Sequence, residues 1–157
     1  MKKTITALLI AVLLFCAAGC GAANDAKPQN PADLETVMQE MLNTVTLPEM
    51  MPLTQEDLLD YYGLETQWCA QTAACINSNG YEKEEIILVR AADADSVPLV
   101  RECLQTALEN VTNEVQNYLP EQYAMISGCK VESKDLYVWL FISNANDQMQ
   151  SILNKYI

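Results

Sequence analysis

The chain has 157 residues, 50% of them hydrophobic, a formal net charge of −12 at pH 7 and no histidine. Such acidity argues against partners that are nucleic acids or anionic lipid headgroups, because both would be repelled. The lack of histidine removes the usual general base, the usual metal ligand and the usual partner of a Ser or Cys nucleophile. The length is sufficient for one domain with a real core.

The first twenty residues are typical of an export signal. Lys2 and Lys3 form a charged start, an apolar run follows over residues 5–15, and Ala17-Ala18-Gly19 places small residues before Cys20. A cysteine directly after small residues looks like a bacterial lipobox, in which the thiol is acylated and becomes the new N-terminus. We therefore predict a lipid on Cys20 that holds the protein at the extracytoplasmic face of the cell membrane, with two fatty chains giving stable attachment.

Two alternatives to lipid attachment stay open at this point. The lipobox position three before the cysteine is most often Leu, and here it is Ala17. Cleavage after Ala23 would release a soluble protein, because Gly21 and Ala23 are small and suitably spaced. An uncleaved apolar segment over residues 4–20 is about at the lower limit for crossing a bilayer.

The favoured division of the chain has three parts. Residues 1–19 are predicted to be a lipoprotein signal peptide, residues 20–29 the lipidated N-terminus with a flexible tether, and residues 30–157 a single domain. Without residues 1–19 the chain loses two lysines and no acids, so its net charge becomes −14.

Two helices are predicted to open the domain. Asn30 is a candidate cap for the first helix, whose apolar stripe consists of Leu34, Val37, Met38, Met41, Leu42 and Val45. Pro48 and Pro52 then break the chain. Thr54 and Asp57 have the spacing of a capping box, which predicts a second helix over residues 55–62 that stops at a left-handed glycine, Gly63.

A hairpin and a long helix are predicted next. Residues 66–76 alternate with a period of two, which places Cys69 and Cys75 on one face of a strand. After a turn over residues 77–80, Glu84 and Glu85 lead into residues 86–89, which are apolar on both faces and suit a central strand. A helix with a continuous apolar stripe then runs from residues 93–96 to Pro120.

A second hairpin and helix complete the prediction. Residues 123–132 are interpreted as a third strand with a possible bulge at Gly128, and residues 136–142 as a fourth. Asn144 with Asp147 opens the last helix. The sequence therefore predicts an α+β fold in which N-terminal helices precede two β-hairpin-plus-helix units. These units would form a four-stranded antiparallel sheet with the helices packed on one face.

The whole pattern resembles a family of uncharacterised clostridial (Firmicutes) lipoproteins defined by a domain of unknown function. The motifs that carry the likeness are the lipobox ending at Cys20, residues 58–64 (LLDYYGL), residues 84–89 (EEIILV) and residues 118–123 (YLPEQY). The resemblance implies a location and a fold. It implies no reaction, no cofactor and no catalytic residue, because the family has no established activity.

The cysteines outside the signal could be paired in an exported domain. They are Cys69, Cys75, Cys103 and Cys129. One or two disulfides are possible, with three full connectivities. The alternative is that they are small buried hydrophobic residues, as free cysteines commonly are. No two form a CxxC arrangement, so a zinc or redox motif is not indicated.

Two functions from different classes follow. The first is a non-catalytic, membrane-anchored binding or interaction module with a protein or cell-wall partner, for which an exposed Tyr61 or Tyr81 could provide an aromatic patch with Tyr62 and Trp68. The second is a small carboxylate-based hydrolase or a calcium-dependent enzyme. Its candidate acids are Glu82, Glu84, Glu85, Asp93 and Asp95, which would have to converge in one cleft. We favour the binding module, because the sequence offers no convergent set of catalytic groups.

Overall fold

The computed structural model describes residues 30–157, so the predicted signal, Cys20 and the tether lie outside the described residues. Residues 30–157 contain five α-helices and one five-stranded antiparallel sheet, which confirms the α+β class. The helices are α1 (Leu34–Thr44), α2 (Gln55–Tyr62), α3 (Ser96–Val115), α4 (Pro120–Ile126) and α5 (Asn146–Leu153). The strands are β1 (Met50–Pro52), β2 (Cys69–Asn77), β3 (Glu85–Ala91), β4 (Val131–Lys134) and β5 (Tyr137–Ile142).

The sheet has the strand order β1-β2-β3-β5-β4. The two hairpins, β2–β3 and β4–β5, therefore join through β3 and β5 at its centre, as expected for two hairpin units. The prediction of four strands was wrong, because β1 adds a fifth at the edge beside β2. Three residues are too few to show a period of two. Pro52 suits an edge strand, because proline has no N–H to donate and one side of an edge strand has no neighbouring strand.

The prediction that all helices pack on one face was also wrong. Both faces of the sheet are covered: α2, α3 and α4 pack on one face, and α1 and α5 on the other. The reason lies in the central strands. Ile87 and Val89 of β3 enter the core under α2, α3 and α4, while Ile86 and Leu88 enter the core under α1 and α5. Each face of the sheet therefore needs its own layer of helices.

Residues 123–132 are not one strand. Residues 120–126 form α4, with Pro120 in its first turn and Glu121 favourably placed near the N-terminal end of the helix dipole. Gly128 lies in the turn after this helix and not in a bulge, and β4 begins only at Val131. A proline that was predicted to end one helix thus begins the next.

The predicted ends of α2 are confirmed. The Asp57 N–H donates to Thr54 Oγ1 at 3.2 Å and the Thr54 N–H donates to Asp57 Oδ2 at 2.7 Å, which is a complete capping box. Gly63 follows in the left-handed conformation, with a φ of 69°. For α1 the predicted cap was wrong, because the helix begins at Leu34 and Asp33 accepts from the Thr36 N–H.

The faces of β2 were assigned wrongly at its start. A bulge between Cys69 and Gln71 shifts the alternation by one residue. Cys69 therefore packs against the core under α3, whereas Cys75 is buried in the core under α1. The two thiols lie on opposite faces of the sheet.

Candidate functional site

A cleft opens at one end of the sheet, between the C-terminal end of α2, the start of β3 and the later turns of α3. Its volume is about 460 Å³. We call it the tyrosine cleft and define it by its polar and aromatic lining: Tyr61, Tyr62, Lys83, Glu85, Asn110 and Glu114. Two other clefts in the described residues, near Trp139 and near Tyr123, are lined by no exposed aromatic side chain.

A half-buried phenol and a half-buried carboxylate form the floor of the tyrosine cleft. The Tyr62 hydroxyl donates a hydrogen bond of 3.0 Å to Glu85 Oε2. Burial is the largest influence on both groups, and it raises the pKa of Glu85 above its ordinary value and that of Tyr62 as well. The pair is therefore held in a poorly hydrated place where a free charge is costly.

An ion pair crosses the mouth of the cleft. Lys83 Nζ lies 3.0 Å from Glu114 Oε1, which links the β2–β3 connection to α3. Lys83 is also close enough to Glu85 to lower the pKa of that carboxyl, against the larger effect of burial. The described lining thus contains two carboxylates and one cation, and its net charge is negative.

Exposed tyrosines surround this end of the molecule. Tyr61 is 63% exposed and Tyr81 is 81% exposed. The Tyr61 and Tyr62 rings meet edge to face, with 6.5 Å between their centroids, which is a favourable aromatic geometry. Gln122 Nε2 donates to the Tyr81 carbonyl at 3.1 Å and so brings the start of α4 to the same end. Exposed Tyr118 lies just before that helix.

The chain enters the domain at the opposite end of the sheet. The Ala32 N–H donates to the Tyr137 hydroxyl at 2.8 Å, and Tyr137 pairs with Arg90 at the far end of β3. Arg90 lies five positions after Glu85 in β3, which corresponds to about 17 Å along the strand. Residue 32 and the tyrosine cleft therefore lie at opposite ends of the sheet.

The candidate acids are divided between three places, and only Glu82 and Glu84 meet. Glu82 and Glu84 both accept from Nδ2 of buried Asn77, at 3.1 and 3.0 Å, and so stabilise the β2–β3 turn. Glu85 points instead into the tyrosine cleft.

Asp93 and Asp95 lie beyond the other end of β3, at the start of α3. Asp93 accepts from the Ser96 N–H at 2.8 Å and from its hydroxyl, which lowers the pKa of Asp93. The five candidate acids therefore do not all converge in one cleft, as the hydrolase alternative requires. Among residues 30–157, no group of three or more Cys, Asp or Glu side chains could hold a metal ion.

The four domain cysteines carry free thiols in the structure. Cys75 is buried beside Met38 and Cys129 donates to the Met125 carbonyl, while Cys69 and Cys103 pack against the core under α3. Burial raises the pKa of Cys69 to about 11 and that of Cys75 to about 12. Whether an oxidant pairs any of them stays a prediction.

Sequence reasoning identified only part of the cleft. It singled out Tyr61, Tyr62 and Glu85, whereas Trp68 of the same predicted set packs half-buried against the core and does not line the cleft. It missed Lys83 and Glu114, which lie 31 residues apart along the chain. No local pattern connects such a pair, because only the packing of α3 on the hairpin brings it together.

Residues 43–143 match the family model described as domain of unknown function (DUF4358). This chain belongs to the DUF4358 family. No curated protein and no solved structure shows significant similarity to it. Every residue that defines the tyrosine cleft lies within the DUF4358 match, whereas most of α1 and all of α5 lie outside it.

Proposed function

We propose that this DUF4358 protein is a lipoprotein of the kind found in clostridia, anchored through Cys20 at the extracytoplasmic face of the cell membrane. Its domain acts there as a non-catalytic binding module that presents the tyrosine cleft to a protein or cell-wall partner. No helix within residues 30–157 has the length and apolarity needed to span a bilayer.

The observation that carries the proposal is the position of the exposed aromatic side chains. Tyr61 and Tyr81 are 63% and 81% exposed at the end of the sheet opposite to residue 32. Large exposed aromatic side chains around a concave surface are a feature of interaction sites, because their rings contribute much contact area at a small entropic cost. If the lipid is on Cys20, the tether approaches one end of the domain and leaves the other free to meet a partner.

The charge of the domain indicates which partners are disfavoured. Without residues 1–19 the chain has a net charge of −14. Nucleic acids and anionic lipid surfaces would be repelled by it, so the partner is expected to be neutral or basic where it meets the cleft.

Site-specific photocrosslinking in intact cells tests the proposal. A benzophenone amino acid is placed at Tyr61 or Tyr81, and at Leu99 as a control that is also exposed but lies at the start of α3. We expect a discrete adduct from the two tyrosine positions and not from Leu99. Equal adduct formation from all three positions, or none from any, would contradict a specific binding surface.

The anchor is tested separately by palmitate labelling and immunoblotting of cells that produce the wild-type chain or Cys20→Ala. We expect this variant to accumulate as an unlipidated precursor, and the wild-type chain to incorporate radiolabelled palmitate. Undiminished palmitate incorporation in the variant would rule out Cys20 as the site of lipid attachment.

A further inference from the structure

The tyrosine cleft contains more hydrogen-bond acceptors than donors. Among the described residues, the Tyr62 hydroxyl is the one side-chain donor to Glu85, although an ionised carboxylate has about four acceptor positions. Glu114 adds a second carboxylate, of which Oε1 contacts Lys83. A ligand that brings N–H donors would therefore satisfy acceptors that the chain leaves unused.

The charge of the cleft has the same implication. Lys83 is its one cation among the described lining residues, and it already pairs with Glu114, which leaves the carboxylate of Glu85 without an ion-pair partner of its own. A partly buried carboxylate is costly when it is unpaired, so an added positive charge is favoured here. The strongly acidic domain also attracts cations from a distance.

Tyr61 completes the arrangement. This residue is 63% exposed, and its ring is oriented by the edge-to-face contact with Tyr62. A cation within about 6 Å of an aromatic face is attracted by the ring quadrupole. The cleft thus has an aromatic wall, a carboxylate floor and a second carboxylate at its mouth, within a volume of about 460 Å³ that can hold one extended side chain.

From this geometry we infer that the tyrosine cleft binds a primary ammonium group on an extended alkyl chain, such as a lysine side chain displayed by a peptide. The ammonium group donates to Glu85 and Glu114 in the cleft, and the alkyl chain lies along the Tyr61 ring. This inference rests on the proposed binding function and gives it a ligand class.

Ligand-observed NMR tests the inference on the full chain in a nonionic detergent. The probe is N-acetyl-lysine methylamide. N-acetyl-norleucine methylamide is the matched neutral compound, because it has a comparable alkyl chain without the ammonium group. We expect saturable binding of the lysine probe that weakens with added salt, and at least about tenfold weaker binding of the neutral compound, since charged hydrogen bonds are lost.

Three variants locate the site. Glu85→Gln should weaken binding of the lysine probe by about tenfold or more through loss of a charged hydrogen bond. Tyr61→Ala should weaken it by about two- to fivefold, as expected for a partly exposed cation–π contact. Glu35→Gln makes the same charge change at an exposed position of α1, away from the cleft. It should leave binding within about twofold of wild type, as expected for a screened distant charge.

Several outcomes would overturn the inference. The first is absence of probe binding, and the second is equal binding of the neutral compound. The third is equal weakening of binding in Glu35→Gln and Glu85→Gln, because that result would indicate only a diffuse attraction by the acidic domain. Circular dichroism of each variant shows whether it is folded, and Glu114→Gln replaces Glu85→Gln if the latter is not. If the probe fails while crosslinks still form at Tyr61 in cells, the ligand class is wrong and the binding function stands.

Discussion

A fragment limited to the DUF4358 match should not fold on its own. The match covers residues 43–143 and omits most of α1 and all of α5, which together cover one face of the sheet. We expect residues 30–157 to unfold cooperatively and residues 43–143 to be largely unfolded or aggregated at the same temperature.

The magnitude follows from the sheet residues that would become exposed. Ile86, Leu88, Trp139 and Phe141 are each at most 5% exposed in the core under α1 and α5. Exposing a large apolar side chain costs about 1.5–3 kcal/mol, so these four residues together lose on the order of 10 kcal/mol of stabilisation. A whole domain is usually stable by only about 5–15 kcal/mol, so most or all of that stability would be lost.

Point variants give the same test without deleting residues. Met41 of α1 is 0% exposed, and Met41→Ala should lower the free energy of unfolding by about 2–5 kcal/mol. Met51 on the edge strand is 47% exposed, so the matched change Met51→Ala should alter it by no more than about 0.5 kcal/mol.

Urea denaturation followed by tryptophan fluorescence and far-ultraviolet circular dichroism measures the effects in both fragments and both variants. If residues 43–143 unfold cooperatively with the midpoint of residues 30–157, then α1 and α5 are dispensable and the two-faced architecture does not explain stability.

Three further predictions concern groups whose surroundings are well defined. Burial raises the folded-state pKa of Glu85 above 4.5, so the folded state loses stability as pH rises from the unfolded-state pKa to the folded-state pKa. The unfolding free energy of Glu85→Gln should therefore increase relative to that of wild type between pH 4 and pH 7. A difference that stays constant in urea titrations over this range would refute this. Thr54→Ala removes one half of the α2 capping box and should cost about 1 kcal/mol in the same titrations, whereas an unchanged midpoint would show that the cap is not needed. Alkylation at pH 8 should label Cys103 well before Cys75, which is 2% exposed with its pKa raised to about 12; equal rates would show that Cys75 is accessible in the folded state.

Elements with strong local signals were predicted well from the sequence. The apolar stripe of α1, the capping box of α2 and Gly63 are each determined within a few residues, and all three are confirmed. Errors arose where longer-range packing decides. Tyr123 and its neighbours in α4 are residue types that also occur in strands. Pro120 was the one local sign that a helix begins there.

The layer arrangement shows the same limit. Residues 86–89 were correctly interpreted as apolar on both faces, yet the helices were predicted to pack on a single face. A strand that is apolar on both sides requires cover on both sides, so this inference was available from the sequence. The edge strand β1 could not be predicted from the sequence, because three residues that include Pro52 give no periodic signal.

The proposed binding site and the proposed site of lipid attachment lie in different parts of the chain, one inside the DUF4358 match and one outside it. The cleft residues, from Tyr61 to Glu114, all lie inside the match, whereas Ala32, where the chain enters, and Cys20 lie outside it. Attachment through Cys20, as proposed, would require only a reachable chain end and would place no demand on side chains at the far end of β3. The proposed binding would require an aromatic wall and a half-buried carboxylate at fixed positions, which α2, the β2–β3 hairpin and α3 supply together. A search for the function of this domain should therefore begin at the tyrosine cleft, because an anchor at Cys20 would account only for location and not for the geometry of Glu85 and Tyr62.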